Sequence, residues 1–149
     1  MSRPTAWALT VALAVTVVAG CGSSSLSETA LRAGAQRACV TARAQLNRIP
    51  TPTQPDGGAS FLRRGIAGLA PELVALNRLH PVGELGVQYG RARAATEAEV
   101  AALRSSLKGL EGGNDPVVAI KTLQQQLLPL ERRAATAWQA LGISACTVT

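Results

Sequence analysis

The sequence predicts an all-α protein, an up-down antiparallel four-helix bundle that follows an apolar leader. Three observations carry this reading. No stretch alternates apolar and polar residues with period two over a useful length, so no strand is predicted. Four stretches place mostly apolar or small residues at spacings of three and four, the stripe of an amphipathic helix. Clusters of proline and glycine separate them. Such stripes must bury themselves on one another, and short connections between the second, third and fourth stretches make those neighbours antiparallel. A three-helix core with a loosely packed first helix is the fallback.

The first helix is expected from Ser25, where Ser25-x-x-Glu28 has the form of a capping box, to about Arg48. Its stripe is Ala35, Cys39, Ala42, Leu46 and Ile49, which puts Cys39 on the buried seam. The run from Pro50 to Gly58, rich in proline and glycine, ends it. The second helix is expected from near Ser60, with Leu62, Ile66, Leu69, Leu73, Leu76 and His80 in register. Pro71 falls inside it, and the unbroken stripe favours a kink over two short helices. Pro81 and Gly83 stop it.

The third helix carries Leu85, Tyr89, Ala92, Thr96, Val100, Leu103, Leu107 and Leu110, and Gly112-Gly113 breaks it. Asp115 before Pro116 is then a start signal, an N-cap carboxylate followed by proline in the first turn. The fourth helix has the cleanest seam, Ile120, Leu123, Leu127, Leu130, Ala134, Ala137 and Leu141. Pro129 lies one residue off that seam and is expected to bend the helix without ending it, and Gly142 sits where a capping glycine terminates a helix.

The leader has a pattern of its own. Arg3 is the only charge before Glu28, and Ala6 to Val18 is apolar apart from Thr10 and Thr16. Thirteen helical residues span about 20 Å, short of the ~30 Å hydrocarbon core, so a secretory signal is favoured over a transmembrane helix. The segment closes with Val18-Ala19-Gly20-Cys21, which resembles the lipobox of bacterial lipoproteins. The resemblance implies cleavage between Gly20 and Cys21, a diacylglyceryl group on the Cys21 thiol and acylation, such as palmitate, of the new N-terminus. Two or more chains give stable anchoring where one gives only marginal binding. The competing readings are an uncleaved anchor and an ordinary secretory signal. The expected organisation is a signal peptide over 1–20, a flexible tether over 21–25 and a helical domain over 26–149, with the domain on the extracytoplasmic face of the cell membrane.

Three cysteines are then to be divided. With Cys21 lipidated, Cys39 and Cys146 remain as a pair in an oxidising compartment, where a disulfide is the default. The bond raises a geometric tension. The end of helix four lies beside the start of helix one, yet Cys39 is about 21 Å up that helix from Ser25. Either the first turns of helix one project as a stalk, or Ile143-Ser144-Ala145 doubles back along it. The stalk is favoured, because residues 25–34 carry the weaker stripe. Leu76-Asn77-Arg78-Leu79-His80-Pro81 and the segment from Ala137 to Cys146, together with Cys39, are similar to small helical lipoproteins of actinobacteria. That resemblance implies a helical bundle with a disulfide and carries no activity.

Chemistry is sparse. His80 is the only histidine and stands beside Pro81 without a recognisable partner. No nucleophile motif, phosphate loop, metal-ligand spacing or telling carboxylate pair appears, and Glu97 and Glu99 face different directions on one helix. Tyr89 and Trp138 are expected in the core. No enzyme, metal or cofactor is therefore expected. Loss of residues 1–20 leaves 14 basic and 9 acidic residues, a net charge of +5. The arginines are scattered and lack interleaved aromatics, so nucleic acid is not an expected partner. The first functional expectation is a structural or interaction module that meets an envelope protein or a wall polymer. The alternative is a binding protein that holds an apolar or amphiphilic ligand between its helices.

Overall fold

The computed structural model describes residues 25–147; Gly20, Cys21 and the expected signal segment lie outside the described residues. Four helices follow one another: α1 Glu28–Leu46, α2 Gly58–Asn77, α3 Gly83–Glu111 and α4 Pro116–Ala140. Short 3₁₀ turns occupy Pro55–Gly57 and Ser144–Cys146, and no strand occurs among the described residues. Each helix packs on its neighbour in sequence, α1 on α2, α2 on α3 and α3 on α4, which makes a four-helix bundle. No helix among the described residues is long and apolar enough to cross a membrane.

The helix ends show which local signals decided. Asp115 Oδ1 accepts the Val118 amide at 2.9 Å and starts α4 as expected, with Pro116 in the first turn. The start of α1 differs from the expectation. Ser27, not Ser25, is the cap, and its hydroxyl accepts the Ala30 amide at 3.2 Å. Glu28 then lies in the first turn, where a carboxylate suits the helix dipole, and pairs with Arg32 one turn on. Leu26 and Leu31 occupy the two positions of a hydrophobic staple around this cap, and both pack on the core.

Helices α3 and α4 end alike. Gly113 (φ +91°) and Gly142 (φ +69°) adopt the left-handed conformation that a side chain resists. Beyond Gly142, the Ile143 amide reaches back to the Trp138 carbonyl at 3.0 Å and the Gly142 amide to that of Gln139 at 2.8 Å. This double closure satisfies two carbonyls and folds Ile143 onto Trp138 in the core.

Both internal prolines are absorbed. Helix α2 starts at Gly58, two residues earlier than expected, and runs unbroken through Pro71; α4 runs through Pro129. Helix α2 ends at Asn77, so its stripe stops at Leu76 and His80 is exposed, its ring Nδ1 donating to the Arg78 carbonyl at 2.9 Å.

The stalk expectation is overturned. Leu31 and Ala35 have no exposed surface and share one core with Leu76, Trp138, Leu141 and Ile143. The chain beyond α4 doubles back instead. Arg32 Nε donates to the Leu141 carbonyl, and Arg43 Nη2 donates to those of Ala145 and Thr147, each at 2.8 Å. The tail thus climbs α1 from Arg32 to Arg43, and its 3₁₀ turn contacts both α1 and α4. Cys39 and Cys146 are brought to disulfide-bonding distance, with Cα atoms 5.1 Å apart.

Candidate functional site

Two of the concavities that this packing leaves have residues of opposite character. The first is an open groove between α3 and α4, of about 730 Å³. Its floor is alanine from both helices: Ala94, Ala95 and Ala98 of α3, Ala137 and Ala140 of α4. Small side chains at helical spacing leave a trough where larger ones would have met. Arg91, Arg132 and Arg133 stand around it, all exposed. None of the three is in an ion pair among the described residues. The groove therefore offers apolar surface and guanidinium donors suited to an anionic group.

The second is a cleft of about 450 Å³ between α1, α2, α3 and the tail. Leu46, Leu69 and Val100 give it apolar walls, and Cys39 and Cys146 line it. Two carboxylates enter it, Glu72 from α2 and Glu99 from α3. Glu72 is only 9% exposed, and Glu99 Oε1 is buried without a donor among the described residues. Neither carboxylate is in an ion pair among the described residues. Burial pushes Glu72 up to about 7, with the nearby Arg43 pulling the other way. Burial also pushes Glu99 up to about 7, and the charges of Glu131 and Glu72 add to the effect. Both groups thus exchange protons near neutrality. Thr96, beside them, accepts the Trp138 indole N–H at 3.0 Å and is committed to that bond.

The expected core aromatics are buried and meet edge to face, with Tyr89 and Trp138 ring centroids 5.9 Å apart. The Tyr89 hydroxyl donates to the Leu76 carbonyl at 2.6 Å. Burial pushes that phenol up to about 12, so it remains a neutral donor that ties α3 to α2. Glu97 and Glu99 diverge as expected, Glu97 toward Arg93 at the surface and Glu99 into the cleft.

The carboxylate pair was missed at the level of sequence. Glu72 and Glu99 lie on different helices and only the fold joins them. A signal existed nonetheless: Glu72 falls three residues after Leu69 and four before Leu76, on the apolar stripe itself. Among the described residues, no group of three or more His, Cys, Asp or Glu side chains converges as a metal site would require. The chain matches no protein-family model, no curated protein and no solved structure.

Proposed function

We propose that the chain is a lipid-anchored lipoprotein of the extracytoplasmic membrane face, and that its bundle binds, without converting it, an anionic amphiphile in the α3–α4 groove. The observation that carries this reading is the alanine trough with three exposed arginines around it. An acyl chain fits the floor, and a phosphate or carboxylate head meets the arginines.

The position of the groove supports the reading. Its residues belong to the first half of α3 and the last turns of α4, the end of the bundle where α1 begins. If Cys21 carries the lipid, the chain from there to Ser27 spans at most about 20 Å. The groove would then stand close to the bilayer surface. A Cys39–Cys146 disulfide suits the oxidising compartment that this address implies.

Mass spectrometry of the chain extracted from its own membrane tests the proposal. The expected intact mass is that of a chain starting at Cys21 plus diacylglyceryl, gaining two hydrogens on reduction. The expected co-purifying species is an acidic amphiphile, reduced at least tenfold in R91Q/R132Q/R133Q. Equal amounts bound to both chains would refute the groove reading, and an unlipidated chain would refute the anchor.

One observation favours the interaction-module reading. At the opposite end of the bundle, Val117 and Val118 are 60% and 63% exposed and lie beside Pro116. An envelope protein docking there would be captured by crosslinking in cells and lost in V117S/V118S.

A further inference from the structure

The cleft between α1, α2 and α3 differs in sign from the groove and lies apart from it. Glu72 is nine-tenths buried and lines this cleft with no ion pair among the described residues, and Glu99 brings a buried oxygen to which none of them donates. A buried carboxylate without a donor costs free energy that a ligand bearing N–H groups can recover. We propose that the cleft is a binding site for a small organic ammonium with an apolar body, its N–H donors shared between Glu72 and Glu99 and its body against Leu46, Leu69 and Val100.

Charge counting supports a monocation. From α1 the cleft is faced by Arg43, from α2 by Glu72, from α3 by Glu99, and Glu131 of α4 is near enough to act on Glu99. From the tail, the Ala145 and Thr147 carbonyls accept from the Arg43 guanidinium. Arg43 therefore offsets one carboxylate without pairing with either. Among the residues that line the cleft, ionised Glu72 and Glu99 against Arg43 leave one negative charge, which one ammonium neutralises; Glu131 stands outside the lining and adds to the attraction for a cation. A bare anion has no such match. The cleft volume, about 450 Å³, admits a ligand of a few carbons beside the ammonium.

The test is a calorimetric titration of the full chain in non-ionic detergent at pH 8 with n-butylammonium chloride, n-butanol and sodium butyrate. The expected result is saturable binding of butylammonium alone, accompanied by a rise in melting temperature. Affinity is expected to fall at least tenfold in E72Q/E99Q, and to fall likewise at pH 5, where both carboxylates are protonated. Because Gln removes a buried charge, E72Q/E99Q is expected to fold, and the single variants E72Q and E99Q should each lose part of the affinity. Butanol binding as well as butylammonium, or unchanged binding in E72Q/E99Q, would overturn the proposal. Retained butylammonium binding in R91Q/R132Q/R133Q is expected, which separates this site from the α3–α4 groove.

Discussion

The two ends of the bundle are built differently. At the end where α1 begins, Leu31, Leu76, Tyr89, Trp138, Leu141 and Ile143 are buried in one cluster, and the tail closes over them. At the other end, where α4 begins, the buried apolar side chains are Leu62 and Leu123, while Ser105, Ser106 and Asn114 line an open cleft with α4. The difference comes from where the sequence spends its large side chains. Tyr89 and Trp138 both fall near the first end, and the double closure after Gly142 adds Ile143 to them. The lesson is that a bundle poor in aromatics concentrates its rigidity, and the proposed groove is carved from that rigid half.

The comparison can be broken most sharply at Trp138. W138A removes the largest buried side chain and the donor to Thr96, and is expected to cost about 4 kcal/mol. L123A, at the other end, is expected to cost about 2 kcal/mol, because an open neighbourhood relaxes around the loss. Chemical denaturation of both variants checks the pair; equal losses would dissolve the distinction.

Reduction of Cys39–Cys146 comes next. The loop of 107 residues sets a chain-entropy ceiling near 4.7 kcal/mol, and a loss of about 3 kcal/mol is expected. Hydrogen exchange is expected to rise first in residues 143–147 and along α1, because the tail is held there by Arg32 and Arg43. Exchange that rises first at Val117 and Val118 would place the tail outside the stable unit.

The middle of the bundle is expected to respond to pH. Glu72 and Glu99 hold their protons more tightly folded than unfolded. The folded state therefore binds more protons between about pH 4.5 and 7, so stability is greatest at the acidic end of that window and falls as pH rises through it. E72Q should flatten the profile and raise stability at pH 8 by on the order of 2 kcal/mol. Thermal melts of both chains from pH 5 to 8 check this. The smallest expected effect is G142A, about 1 kcal/mol, from forcing a side chain into the left-handed conformation at φ +69°. Its melting curve should shift further than that of S144A, which disturbs no such constraint.

Much of the fold was legible in local signals. Asp115-Pro116, Gly112-Gly113 and Gly142 marked helix boundaries because capping is a short-range matter, and the seams of α3 and α4 carried Tyr89, Thr96, Val100 and Leu123 into the core. The error at the start of α1 was a choice between two serines, which Leu26 and Leu31 settle by packing rather than by pattern. The tail's path depended on the same undervalued Leu31: a buried first turn leaves no stalk, so the cysteine must be reached by the tail. The candidate sites were less legible. Glu72 and Glu99 meet only through the antiparallel pairing of α2 and α3, and the alanine trough exists only because small residues of two helices face each other.

The claim that the rigid end holds the ligand is most directly tested by a photo-crosslinking side chain placed at Ala98 or at Val118 in the chain in living cells. The account predicts an adduct of amphiphile mass, a few hundred daltons, at position 98 and none at 118. Amphiphile captured at position 118 but not at 98, or only protein-sized adducts at both, would contradict it.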